Sequence, residues 1–474
     1  MNPAGTESGG DRPRKSLAKG RLGLMRELRE GNKLVLPDVR NACSFDIISH
    51  MERAEPGHGG RVDVATADLR FEREPLVRPF GFKGGSLSEL WQVAVCLRSP
   101  SGRSGIGLGT QSVLWSDAAV FADRSEAAGN ELMLDLTRHA LDVAKGGSFE
   151  TPLELLDVLF PEVLEHGRRL SGMKGLRPTF ALNALVAVDN AAWVLYAREN
   201  GFGSLDAAVP ERWRGGISAR HPRCAMIPLV TYGTPLDEVR QLADEGAFFF
   251  KIKIGQPGTQ EEMLAKDFAR VAEIHEALRD LRTPCSENGR ALYYFDANGR
   301  YGSKDALLRF ADHLEKIGAL DQTAIVEEPF DELEEIDVSD VPFRIAADES
   351  AHTVEDAERR MDMGYGAMAL KPIAKTMSMS IKIAAAAAKR GVPCFCADLT
   401  VNPVLVEWNR AVAERLPQFP GLGDLGLLES NGAQNYRNWK RMLGDVPSGG
   451  IFAPLPRHER LFGACAGETI SKEG

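Results

Sequence analysis

The sequence has few cysteines, no long apolar run and no excess of positive charge. Seven cysteines in 474 residues form a sparse, odd set, which favours reduced thiols and a cytoplasmic protein over a disulfide framework. No run of about 18 uninterrupted apolar residues occurs, so we expect no membrane span, and the N-terminal segment lacks the apolar core of a signal peptide. Because 57 Lys and Arg face 67 Asp and Glu, the formal net charge is −10, which disfavours a nucleic-acid-binding surface.

The composition is otherwise that of a globular chain with a sizeable core, at 43% hydrophobic and 26% charged residues. Residues 1–61 are polar and rich in glycine, and we predict a flexible extension there. Residues 62–205 carry alternating patterns followed by helical ones, which predicts an α+β domain. Residues 441–474 are predicted to form a C-terminal segment that packs on this domain.

Residues 222–440 have a different pattern, in which short apolar runs alternate with amphipathic helical segments. Eight such runs occur, at 225–233, 247–255, 291–299, 324–330, 343–350, 366–372, 392–400 and 421–428. Eight strands alternating with helices over this length predict a (β/α)8-type barrel. Catalytic groups of such barrels lie at the C-terminal ends of the strands.

Five consecutive runs end in charged or polar side chains, which are costly to bury without partners. In chain order these are Lys251 and Lys253, Asp296 and Asn298, Glu327 and Glu328, Asp348 and Glu349, and Lys371. A structural ion pair would explain one such case, but five in succession favour a functional site at the barrel mouth.

The middle three runs supply carboxylates from three neighbouring strands. Oxygen ligands with open positions suit Mg²⁺, with Mn²⁺ as the alternative, and no His or Cys joins the set to favour zinc. Strand alternation directs one glutamate of the fourth run inward, and we choose Glu327 as the ligand over Glu328.

The flanking runs supply lysines. Lys251 and Lys253 share a strand face, so their repulsion is expected to lower the pKa of one ammonium group and to make it a general base. Lys371 enters from the other side of the mouth. Two bases on opposite faces of a metal-bound carboxylate could remove and return a proton through an enediolate.

The motifs KIK, FDAN, VEEP, ADES and LKP, in this order and spacing, resemble the enolase superfamily, in particular the muconate lactonizing enzyme-like subgroup of the mandelate racemase/muconate lactonizing enzyme family. The resemblance implies a modified (β/α)7β barrel with an α+β capping domain. It further implies a small carboxylate substrate, a homo-oligomer and no nucleic-acid or membrane partner. For the site it implies Mg²⁺ on Asp296, Glu327 and Asp348, acid/base roles for Lys253 and Lys371, and tuning of Lys253 by Lys251.

Capping loops of this family close over the site, and the candidates here are Phe80–Gly85 and Gly105–Trp115, with plain surface turns as the alternative. Substrate or supporting contacts are assigned to Asn298, Glu349 and Asp398. Helix capping is the competing role for Thr400 and Asn402.

Departures from the family pattern bear on the reaction. No histidine falls between 392 and 420, which disfavours the mandelate racemase branch. The eighth run reads LLESNGAQN and lacks the Asp-x-Asp of dipeptide epimerases. We expect a racemase or epimerase, with a cycloisomerase or an acid dehydratase on the same site as alternatives. A metal-dependent hydrolase is disfavoured because no His-x-His occurs, and a non-catalytic binding barrel is the remaining class.

Overall fold

The computed structural model describes residues 59–82 and 85–463. The predicted flexible extension therefore falls outside the described residues except at its last three positions. One predicted capping loop, Phe80–Gly85, includes two positions outside them, and the C-terminal segment is described only as far as residue 463. The boundaries of the predicted domains stay a prediction.

The N-terminal part is built on an antiparallel sheet. Strand β1 (Val62–Asp63) pairs with β5 (Ser148–Phe149). Strands β2 (Thr66–Phe82) and β3 (Gly85–Arg98) form a long hairpin, and β4 (Ser104–Gln111) adds to β3.

Helices cover this sheet. They span Val113–Ser116, Ala118–Asp123, Glu126–Ala144, Pro152–Ser171, Pro178–Asn200 and Leu205–Ala208, with a 3₁₀ turn at Glu211–Ile217. The helix Pro178–Asn200 packs against β4 and is the one helix in the described residues that is long and apolar enough to cross a membrane. It is fully buried inside the protein, as expected for a core helix.

Nine parallel strands form the barrel. They are β6 (Cys224–Ile227), β7 (Leu229–Val230), β8 (Phe249–Lys253), β9 (Leu292–Asp296), β10 (Thr323–Glu327), β11 (Ile345–Ala347), β12 (Ala367–Leu370), β13 (Cys394–Cys396) and β14 (Gly426–Glu429). Pro228 has no N–H and splits the first predicted strand in two. Because β6 pairs with β14 and β7 pairs with β8, the two halves together join the ends of the sheet. The predicted barrel with a capping domain is thus confirmed.

Helices of the barrel span Leu236–Asp244, Gln260–Leu278, Lys304–Ile317, Val354–Asp362, Met377–Lys389 and Pro403–Ala413, followed by Gly432–Asn435, Trp439–Leu443 and Pro456–Gly463. The connection from Glu328 to Arg344 contains no helix, so the strict alternation of strands and helices is wrong there. Pro329 and Pro342 bracket this segment and oppose a continuous helix.

Four cysteines of the described part, Cys96, Cys224, Cys394 and Cys396, are free and buried. The last two lie on β13, where they act as small apolar side chains.

Gly107 lies where β4 and the buried helix touch. A Cβ there would lie 2.1 Å from the Ala191 nitrogen and 2.2 Å from the Ala187 carbonyl oxygen. We expect Gly107→Ala to lower the free energy of unfolding by about 3 kcal/mol, since neither backbone can move away. Urea denaturation followed by circular dichroism measures the loss. Gly175→Ala, with nothing within 4 Å, should change it by less than about 0.5 kcal/mol; equal losses in both variants would contradict the packing explanation.

Candidate active site

Six ionisable side chains at the barrel mouth continue the apolar lining of the barrel lumen by two residues each. Side chains two apart share a strand face, and the lumen residues Phe249, Tyr294, Ile325, Ala346, Ala369 and Leu427 form one buried cluster. The next inward positions are Lys251, Asp296, Glu327, Asp348, Lys371 and Glu429. The strand period therefore places six ionisable groups on one layer at the C-terminal mouth.

Lys251 lies in the middle of this layer. Its Nζ lies 3.0 Å from Asp296 Oδ2, 3.3 Å from Glu327 Oε1 and 3.1 Å from Glu429 Oε2. The ring of Tyr294 lies beneath the ammonium at 4.6 Å. Three carboxylates and an aromatic face hold this cation in place.

Lys253 is the more accessible lysine of the pair on β8, with 19% of its side chain exposed. Its Nζ donates to Asp296 Oδ2 at 2.5 Å and to Asn298 Oδ1 at 2.7 Å. Asn298 in turn donates from Nδ2 to Glu349 Oε1 at 3.2 Å. Both polar ends of Asn298 are thus engaged in orienting charged groups.

Asp348 is held by two lysines. Lys371 Nζ donates to its Oδ2, and Lys375 Nζ lies 3.3 Å from its Oδ1. Lys375 also donates to the carbonyl oxygens of Asp348 at 2.5 Å and of Ala351 at 3.1 Å. Lys375 is a buried group that the sequence predictions missed, because residues 372–374 form a turn and no helix or strand periodicity indicates where its side chain lies.

Glu328 turns away from the lumen. Its Oε2 accepts hydrogen bonds from the backbone N–H of Asp348 at 2.7 Å and of Ser350 at 3.2 Å. It therefore fixes the backbone that carries Asp348, which agrees with the choice of Glu327 as the inward residue.

The carboxylate oxygens that come closest together belong to Glu327, Asp348 and Glu349, within 4.8 Å of one another. Glu327 Oε2 and Glu349 Oε2 are buried and accept no hydrogen bond. Unpaired buried carboxylate oxygens are the donor set that a hard divalent cation takes, so these residues fit such an ion. Asp296 lies outside this compact group because two lysines hold it.

Seven carboxyl groups face four ammonium groups in this region. They are Asp296, Glu327, Glu328, Asp348, Glu349, Asp398 and Glu429, against Lys251, Lys253, Lys371 and Lys375. Burial raises the pKa of Glu327 to about 7, of Glu328 to about 8 and of Asp398 to about 6. For Glu327 burial outweighs the contact with Lys251, and for Glu328 and Asp398 a neighbouring carboxylate raises the pKa further.

The paired groups shift the other way. Burial opposes the charged form, yet Lys251 and Lys253 lower the pKa of Asp296 to about 2. Burial likewise favours neutral lysines, but the surrounding carboxylates raise the pKa of Lys251 and of Lys371 above the ordinary value. At Lys251 three carboxylates outweigh the one neighbouring ammonium, so mutual repulsion does not lower the pKa of that lysine.

Three residues that directly follow the site carry positive φ angles: Asn298 at 47°, Glu328 at 42° and Thr400 at 61°. Non-glycine residues adopt this region at a cost of about 1–2 kcal/mol each. Such conformations cluster at functional sites, where the surrounding structure enforces them.

Residues near the seventh and eighth strands are mostly engaged in supporting contacts. Asp398 accepts from the backbone N–H of Leu399 at 2.7 Å and of Asn431 at 2.6 Å. Thr400 donates to Asn431 Oδ1, while Asn402 caps the helix Pro403–Ala413. Glu429, which received no role from the sequence, contacts Lys251.

The capping domain reaches the barrel through Trp115, whose ring lies over Lys371 Nζ at 4.7 Å. Arg177 donates to the Trp115 carbonyl oxygen at 3.3 Å and to Glu332 Oε2 at 2.5 Å. Glu332 belongs to the helix-free connection of the barrel and also lies 3.2 Å from His352 Nε2. The segment Gly105–Trp115 was predicted as a loop, which is wrong: it forms strand β4 and most of the helix Val113–Ser116, and its last residue, Trp115, lies against the site.

The protonated state of Glu328 makes folding depend on pH. Between pH 4.5 and 8 the folded metal-free protein keeps a proton that the unfolded chain has lost. The free energy of unfolding should therefore fall as pH rises through that window. The contribution of this one carboxyl group is a fall of about 1.4 kcal/mol for each pH unit.

We expect Glu328→Gln to reduce this slope, measured by urea denaturation at pH 5, 6.5 and 8. Glu335→Gln, whose native side chain is 71% exposed, is the control and should leave the slope unchanged. Identical slopes for both variants would show that Glu328 is not the titrating group.

Comparison with known proteins agrees with this architecture. Residues 236–423 match the family model described as enolase C-terminal domain-like. No curated protein sequence matches the chain.

Three similar solved structures illustrate the likeness. A mandelate racemase/muconate lactonizing protein from Herpetosiphon aurantiacus is 16% identical, covers 79% of this chain and 91% of its own, and has a TM-score of 0.58. A dipeptide epimerase from Enterococcus faecalis, complexed with Mg and L-Leu-L-Tyr, is 16% identical with a TM-score of 0.54, covering 79% and 100%. L-talarate dehydratase from Polaromonas, complexed with Mg and L-glucarate, is 18% identical with a TM-score of 0.53, covering 80% and 88%.

At these identities the structural likeness concerns the fold, and the matched segment carries six of the nine barrel strands. The chain is therefore similar over residues 236–423 to the enolase C-terminal domain-like family, and it shares the capped-barrel fold of these solved structures.

Proposed function

We propose that this chain is an enzyme that uses Mg²⁺ and removes the proton next to the carboxylate of a small acid, with racemisation or epimerisation as the outcome. One observation carries the proposal. Lys253 and Lys371 line one pocket from the two ends of five adjacent strands, β8 to β12, with the carboxylates between them.

We propose Asp296, Glu327 and Asp348 as the metal ligands, since they end three neighbouring strands. Glu349 is the competing third ligand because its oxygen belongs to the compact group. The bound ion would supply positive charge for the substrate carboxylate as its α-carbon loses a proton.

The two lysines would act as the acid and the base. Lys253 Nζ would exchange the α-proton on one face of the substrate, with Asp296 and Asn298 orienting the amine. Lys371 Nζ would serve the other face, held by Asp348 and covered by Trp115. Lys251 lies behind Lys253 and contributes a fixed positive charge rather than a proton.

A two-sided arrangement suits racemisation, because proton removal and return then occur on opposite faces. The same pair could serve a cycloisomerase, or a dehydratase in which the second lysine protonates a leaving hydroxide. The structural neighbours include both an epimerase and a dehydratase, so the reaction class is part of the proposal. A non-catalytic barrel would have no reason to keep this arrangement of buried charges, which is costly to maintain.

The lysine roles predict distinct exchange patterns. In D₂O with Mg²⁺, we expect Lys253→Ala to lose about 10³-fold of α-proton exchange on one enantiomer and Lys371→Ala on the other. NMR of the substrate α-position measures both rates. Lys389→Ala, an exposed lysine, is the control. Undiminished exchange of both enantiomers in Lys253→Ala would eliminate Lys253 as a base.

The ligand assignment predicts different metal affinities. We expect Asp296→Asn to weaken Mg²⁺ binding at least about tenfold, or about 1.4 kcal/mol, and Glu349→Gln to weaken it less. Isothermal titration calorimetry with Mg²⁺ alone measures both, and circular dichroism checks that each variant is folded. The reverse order would assign the third ligand to Glu349, and an unmodified affinity in both would place the ion elsewhere.

A further inference from the structure

A pocket lies above the lysines, between the barrel mouth and the capping domain, and small-molecule sites are concave and mostly apolar with a few polar groups. Its capping wall is apolar except at Ser112 and otherwise consists of Leu76, Phe80, Leu87, Leu90 and Trp115. The three leucines are almost fully buried, at 2–3% exposure, and so form a fixed surface. The barrel adds Leu229 and Leu399 to the same pocket.

The charged groups of the pocket lie at its floor, and the uncharged residues Ser112, Thr400 and Asn431 add further polar groups to its lining. Among the described residues that line it, neither an arginine nor a histidine occurs. The lining cations are Lys251, Lys253 and Lys371, and each already contacts a carboxylate. Within the described part of the chain, a second carboxylate on a substrate would therefore meet no unpaired cation in this lining.

The acidic groups on the side of the seventh and eighth strands are also engaged. Both oxygens of Asp398 accept backbone N–H groups. Glu429 Oε2 contacts Lys251 Nζ at 3.1 Å and accepts the Asp398 N–H at 3.2 Å. A substrate ammonium would have to compete with Lys251 for Glu429, which disfavours a free amino group near this wall.

We infer that the substrate is a monocarboxylic acid whose remaining part is hydrophobic, and this inference rests on the proposed function. The carboxylate faces the floor, and the apolar substituent packs against the leucines and Phe80 of the capping domain. Apolar burial favours such a substituent by about 25 cal/mol per Å². A polyhydroxy acid would leave hydroxyl groups facing leucine side chains without hydrogen-bond partners.

A panel of acids tests this. α-Proton exchange is measured by NMR in D₂O with Mg²⁺ for 2-phenylpropionate, 2-phenylsuccinate, glucarate and L-Leu-L-Tyr. We expect kcat/KM for 2-phenylpropionate to exceed each of the others at least about 100-fold. The pair 2-phenylpropionate and 2-phenylsuccinate isolates the effect of a second carboxylate on the same aromatic acid.

The outcomes separate the inference from the proposed function. Exchange that is faster on glucarate, the dipeptide or 2-phenylsuccinate would overturn the hydrophobic class while supporting proton abstraction. Where no acid exchanges, calorimetric binding of the four acids tests the substrate class by itself. Preferential binding of 2-phenylpropionate then supports the hydrophobic class and contradicts the catalytic proposal. Equal or absent binding of all four overturns the class as well.

Two phenylalanines of the same strand give a matched pair of variants. Phe80 lines the pocket, whereas Phe71 lies outside it, stacked on Trp91 and 39% exposed. Phe80→Ser should raise KM for 2-phenylpropionate about tenfold with a smaller change in kcat, and Phe71→Ser should change KM less than about twofold. Equal effects, or an unchanged KM in Phe80→Ser, would contradict the assigned wall.

Discussion

The balance of buried charge at the barrel mouth is the constraint on which the site depends. Carboxylates outnumber ammonium groups there, and a charge without a partner is strongly disfavoured in so enclosed a place. Each lysine is therefore a structural counter-ion as well as a candidate for proton transfer. The excess negative charge can be neutralised in two ways, by protons on Glu327, Glu328 and Asp398 or by a bound cation. A divalent ion offsets two negative charges at once.

The lumen below this layer determines where the charges lie. Large side chains such as Phe249, Tyr294 and Phe395 fill it, and alanines at Ala346, Ala367 and Ala369 make room for them. This packing fixes the strand registers. A slip of one residue on β9 would turn Asp296 outward and Phe295 inward, so the apolar core specifies the orientation of the polar layer above it.

The barrel and the strand-end residues could be predicted from the sequence because both follow from local periodicity and chain order. The role of Lys375 could not be predicted, because it arises from a turn that places the amine of this lysine against the backbone carbonyl of Asp348. Nor does the sequence indicate that Glu429 contacts Lys251, since β14 and β8 meet only when the barrel closes. The repulsion between Lys251 and Lys253 was visible in the sequence, whereas the carboxylates from several strands that raise the pKa of Lys251 were not. The helix-free connection after β10 was likewise missed, although Pro329 and Pro342 signalled it. The metal ligands and the acid/base roles stay predictions.

The barrel and the capping domain contribute different features to the pocket, namely charged groups and apolar surface. The barrel supplies nearly all ionisable groups of the pocket, and strained backbone at Asn298 and Glu328 holds them. The capping domain supplies apolar surface, and the contacts of Arg177 with Trp115 and Glu332 fasten that surface to the barrel. Because the buried charges are mutually dependent, changes there would disturb the whole layer. The hydrophobic wall has no such coupling, so substitutions in it can alter which acid fits while the charged layer below stays intact.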